Sequence, residues 1–109
     1  MKILIDADGC PVVKQAIQIA KENNIEVAIF CDTSHIINSD YAEVVTVSKG
    51  ADSVDFALVN KVQSGDIVIT QDYGLAAMVL SKGGKAITQN GMIISDSTLG
   101  LLLTTRHES

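Results

Sequence analysis

The chain has 109 residues, 47% of them apolar and only 4% aromatic, and a formal net charge of −5. This length implies one domain over residues 1–109 with a core filled by aliphatic side chains, and the acidic balance excludes simple electrostatic adhesion to a nucleic-acid backbone. No apolar run approaches the roughly 18 residues of a membrane span and no basic-then-apolar leader opens the chain, so we expect a soluble, cytoplasmic protein with no membrane contact.

Ile3-Leu4-Ile5 is too short for a helix and too apolar for an exposed strand, which predicts a central parallel strand covered on both faces. Pro11 suits the first turn of a helix, and Val13, Ala16, Ile17 and Ala20 recur at helical spacing as far as Asn23-Asn24. "EVAIFC" and "EVVTV" follow as strands. Val54, Leu58 and Val62 then mark a helix from Ala51 to about Val62, broken by Ser64-Gly65. "DIVIT" predicts a fourth strand, "DYGLAAMVLSKGG" a helix closed by paired glycines, and "KAIT" a fifth strand. Asn90-Gly91 signals a hairpin into "MII", and a fourth helix runs from Asp96 to about Arg106. The alternation predicts a three-layer α/β fold: a central, mostly parallel sheet, helices on both faces, and one antiparallel strand at the edge.

In open sheets of this kind the functional crevice lies beyond the carboxyl ends of the strands. Asp6, Asp8, Asp32, Asp52, Asp55, Asp72 and Asp96 all map to that rim, seven of the 13 acidic residues, which is more than chance placement would bring there. Helix capping accounts separately for Asp72, Asp96 and Asp52. It accounts poorly for Asp6 with Asp8, or for Asp55, which lies past the best capping position and shares a helix face with Asp52. Two carboxylates about 4 Å apart repel by about 4 kcal/mol at an effective dielectric of about 20, so such a cluster either raises its carboxyl pKa values or recruits a cation. All-oxygen donors favour Mg2+ or Mn2+ over zinc, and such ions serve phosphodiester hydrolysis. The two aspartates that follow the first strand, Asp6 and Asp8, are thereby expected as metal ligands.

Smaller signals surround this cluster. Lys49, in "SKGADS" ahead of a helix start, is the candidate phosphate contact, with Ser48 and Thr70 as hydroxyls that hold a water or satisfy backbone groups. Cys10 reads as a small packed residue, since no Cys-x5-Arg loop follows it, and His35 in "CDTSHI" as a solvated loop residue.

The stretches "DADGCPVVK", "VSKGADSVDFALV" and "SGDIVITQDYGLAAMVLSKGGKAITQNG" together resemble the YaiI/YqxD family of uncharacterised bacterial proteins (domain of unknown function 188), which is similar to the PIN-like nuclease superfamily. The resemblance covers nearly the whole chain. It implies a PIN-like, Rossmann-like fold and acidic roles for Asp6 after the first strand, Asp55 or Asp52 on a central helix, and Asp72 in "TQD"; Asp8 is an additional acid of the narrower family. It also implies a C-terminal segment beyond "LLLTTRHES". The expected function is Mg2+- or Mn2+-dependent nuclease action on RNA or another single-stranded nucleic acid, with Asp6, Asp8, Asp55 and Asp72 catalytic and holding the metal, and Asp52 supporting them as a further metal ligand. Two alternatives stand beside it. One is a metal- or RNA-binding module without turnover. The other is a phosphatase of the haloacid-dehalogenase type, suggested by "ILIDADGC", although position 10 is Cys where that motif carries Thr.

Overall fold

The computed structural model describes residues 1–7, 12–32, 39–47, 53–95 and 97. Its elements are β1 (Lys2–Asp6), α1 (Val13–Glu22), β2 (Glu26–Asp32), β3 (Glu43–Val47), α2 (Ser53–Lys61), β4 (Ile67–Ile69), α3 (Tyr73–Ser81), β5 (Lys85–Ile87) and β6 (Ile93–Ile94). They follow the expected order with adjusted ends. β1 extends through Asp6, which pairs with Phe30, because Ala7 N–H continues the ladder to Phe30 O at 3.0 Å. β4 is shorter than "DIVIT": the register with β5 covers Ile67–Ile69, and the flanking residues keep one backbone bond each, Lys85 N–H on Asp66 O at 2.8 Å and Thr70 N–H on Ile87 O at 3.1 Å. The fourth helix lies outside the described residues except at Ser97, which is helical.

Helix ends follow from local chemistry. After α1, Asn24 adopts φ 55° while Ile25 N–H reaches back to Ala20 O at 2.8 Å. After α3, Gly83 takes φ 86° and Gly84 N–H bonds Val79 O at 3.0 Å. Both are left-handed closures that satisfy carbonyls a helix end would otherwise leave open. The Asn90-Gly91 turn joins β5 to β6, with Thr88 N–H on Met92 O at 2.9 Å. Only Gly91 has positive φ there, so the connection spans three residues rather than the two-residue turn that an Asn-Gly pair favours.

The six strands lie in the order β3-β2-β1-β4-β5-β6, all parallel except the β5–β6 pair. Successive strands move outward from β1 through β2 to β3, then the chain crosses back to place β4 on the other side of β1. The reversal makes the gap between β1 and β4 the topological switch point. α1 covers one face, with Val13 and Ala20 against Ile5, Val27 and Ile29. On the other face Leu58 of α2 and Val62 just after it, with Leu75 and Val79 of α3, pack on Leu4, Ala28, Phe30 and Val68. Both faces of the sheet are therefore dry, as the unbroken apolar runs require. Among the described residues no helix is long and apolar enough to cross a membrane.

Candidate functional site

Side chains alternate along a strand, so Asp6 shares the face of Leu4, Asp32 that of Phe30, and Thr70 continues the line of Val68. All three therefore lie at the carboxyl rim on the side covered by α2 and α3. Asp6 is 8% exposed and Thr70 2%, so their polar atoms need partners within the protein. Thr70 Oγ1 donates to Asp6 Oδ2 at 3.0 Å across the switch point. The same hydroxyl oxygen accepts from Asp72 N–H, also at 3.0 Å. One threonine thus ties the end of β1 to the start of α3.

Asp72 caps α3: its Oδ1 accepts from Gly74 N–H at 2.9 Å and Leu75 N–H at 3.2 Å. The capping explanation holds for this residue, and on its exposed side chain Oδ2 has no hydrogen-bond partner among the described residues. Asp55 lies half-buried in the first turn of α2, whose Val54 and Ala57 pack against the Leu4 and Phe30 cluster. Among the described residues, no three His, Cys, Asp or Glu side chains gather closely enough to hold a metal ion. Asp6, Asp55 and Asp72 are therefore not by themselves a preformed three-ligand cage. Asp8, Ser48, Lys49 and Asp52, together with Cys10, His35 and Asp96, lie outside the described residues.

Two features of the rim escape reading by motif. Asp32 ends β2 on the same face as Asp6, a relation visible only once Asp6↔Phe30 register is known. Gln71 accepts Gln89 N–H on its Oε1 at 3.0 Å, joining the loops beyond β4 and β5. Asp66, by contrast, belongs to the opposite, amino edge. It is 3% exposed and receives Lys2 Nζ at 2.9 Å, Lys2 N–H at 3.1 Å and Gln63 N–H at 2.9 Å. Burial alone would push its carboxyl pKa up, but the Lys2 ammonium and the two backbone donors together outweigh that and hold it below the usual value. This acid locks the sheet edge to the end of α2 and takes no part in the rim.

The profile of the family described as "Uncharacterized BCR, YaiI/YqxD family" matches residues 4–109. A UPF0178 protein of Clostridium acetobutylicum is 49% identical over 107 residues, which cover 98% of this chain and 72% of that protein. One from Ruminiclostridium cellulolyticum is 53% identical over 107 residues, covering 98% and 70%. One from Exiguobacterium sibiricum is 50% identical over 107 residues, covering 98% and 73%. No solved structure matches the chain.

Proposed function

The chain belongs to the uncharacterised bacterial YaiI/YqxD family, and on that premise we propose that it is a divalent-metal-dependent phosphodiesterase acting on single-stranded nucleic acid, RNA foremost. The observation that carries this reading is the buried Asp6 carboxylate, held at the switch point of a parallel sheet by Thr70, whose same hydroxyl accepts from the backbone N–H of Asp72. The resemblance to PIN-like nucleases assigns acids to these same places.

Asp6 and Asp72 supply hard oxygen donors that fit Mg2+ or Mn2+. Being two, they need further ligands, and Asp8, Asp52 and Asp55 are the candidates the chain offers. A bound ion of this kind polarises a phosphoryl oxygen and lowers the pKa of a water. The protein's own part is orientation. Thr70 spends its proton on Asp6, which fixes the direction of that carboxylate, and the α3 cap fixes Asp72. Lys49 and Ser48 are assigned to the substrate phosphate, where a local cation offsets the repulsion expected from a net charge of −5.

A second reading, a metal- or RNA-binding module without turnover, needs no more than the carboxylates of Asp6 and Asp72 that the Thr70 bonds and the α3 cap position at the rim. The phosphatase reading is weaker, because its nucleophile would be Asp6, a carboxylate only 8% exposed and already bonded through Oδ2. The test pairs Mn2+ binding, followed by electron paramagnetic resonance, with cleavage of an end-labelled single-stranded RNA by the wild-type chain and Asp6→Asn. Cleavage that requires Mn2+ and vanishes in the variant supports the nuclease. Equal cleavage by both chains overturns the assignment of Asp6. Mn2+-dependent RNA binding without cleavage supports the module.

A further inference from the structure

At the amino edge of the sheet, opposite the aspartate rim, a groove of about 630 Å3 opens between the sheet and the end of α2. Its shape follows from register. Lys2 aligns with Glu26, and Ala28 with Glu43, so Lys2, Glu26, Ala28 and Glu43 all present to the α2 side. Ala28, 6% exposed, contributes one methyl group to the floor, where a longer side chain would fill the space. Tyr41 lines the far end with its ring fixed, because its hydroxyl donates to Ile25 O at 2.7 Å.

The charges along this groove are ordered. Strands β3, β2 and β1 lie side by side, so Glu43, Glu26 and Lys2 succeed one another across the edge. Lys61 joins the Lys2 end, since Lys2 Nζ and Gln63 N–H share one Asp66 oxygen and Lys61 stands two residues before Gln63. Lys2 faces Glu26 in register yet bonds Asp66, so Glu26 has no cation partner among the described residues. Glu43 and Lys61 likewise form no ion pair among the described residues. With strands about 4.8 Å apart and a rise of about 3.3 Å per residue, Glu43 and Lys2 stand about 10–12 Å apart at their Cα atoms. Three extended residues span about 10 Å.

We propose that this groove binds a short zwitterionic peptide of about three residues, its ammonium at Glu43 and Glu26 and its carboxylate at Lys61 and Lys2. The volume lies within the range of small-molecule sites; Glu43, Glu26 and Lys61, which form no ion pair among the described residues, match the two ends of such a ligand in sign, and Lys2, held by Asp66 beside Lys61, marks the spacing. This site is independent of the aspartate rim.

The experiment is a titration of the full chain with tri-L-alanine, followed by amide chemical shifts and calorimetry. Saturable shifts at Ala28, Tyr41, Glu43 and Lys61, with Asp6 and Asp72 unmoved, are expected. Glu43→Gln and Lys61→Gln alter exposed side chains and should each weaken binding about tenfold while leaving the fold intact. The same peptide acetylated and amidated at its ends should not bind. Wild-type affinity in both variants, equal binding of the capped peptide, or no saturable shift overturns the proposal. Binding of spermidine at these amides in place of tri-alanine overturns it too, by showing a site for polycations.

Discussion

Thr70 and Asp6, 64 residues apart in the chain, meet at 3.0 Å where β1 and β4 leave the sheet, and the buried hydroxyl bonds Asp6 and Asp72 at once. Thr70→Val keeps the shape but removes both bonds, one of them to a buried carboxylate. We expect a loss of about 2–3 kcal/mol in urea unfolding, with Thr70→Ser recovering most of it. A valine variant as stable as wild type would show that the hydroxyl does not hold Asp6 in solution.

Asp72 combines a structural and a proposed chemical role, and substitutions separate them. Asp72→Ala should cost about 1 kcal/mol by removing the α3 cap. Asp72→Asn retains a capping oxygen and should stay within about 0.5 kcal/mol of wild type, yet lose Mn2+-dependent cleavage under the proposed function. If the asparagine chain cleaves at full rate, Asp72 is a cap and nothing more.

Asp66 carries a pH signature. Its folded pKa lies below the ordinary carboxyl value, so its contribution is present above about pH 4 and is lost as pH falls through the folded value. Asp66→Asn should therefore destabilise by about 2–3 kcal/mol at pH 7, and the gap to wild type should narrow on acidification below about pH 4. Urea midpoints measured across that range check both the size and the sign.

Gly84 is required by packing rather than by backbone conformation. A Cβ there would stand 2.8 Å from Val79 Cγ1 and 3.1 Å from Val62 Cγ1, wedging apart α3 and the end of α2. Gly84→Ala should destabilise by about 1–3 kcal/mol. Adding Val79→Ala should return part of that loss in a double-mutant cycle, because it vacates the atom in closest conflict.

What the sequence determined by itself is what near neighbours decide. Ile3-Leu4-Ile5 and Ile67-Val68-Ile69 are buried parallel strands because no polar residue interrupts them, Asp72 caps because it precedes a helical run, and Gly83-Gly84 closes that run. Placing Asp6, Thr70 and Asp72 on one rim needed only the alternation of strands and helices. The tertiary structure alone decided that Thr70 and Asp6 share a bond, that Asp32 faces the same side as Asp6, that Asp66 belongs to Lys2 at the opposite edge, and that a charged groove opens beside it. Each of these depends on strand order and register, which pair residues far apart in sequence. Hydrophobic periodicity specifies which face of a strand is buried, whereas which strand lies beside it is set by the packing of helices over the whole sheet.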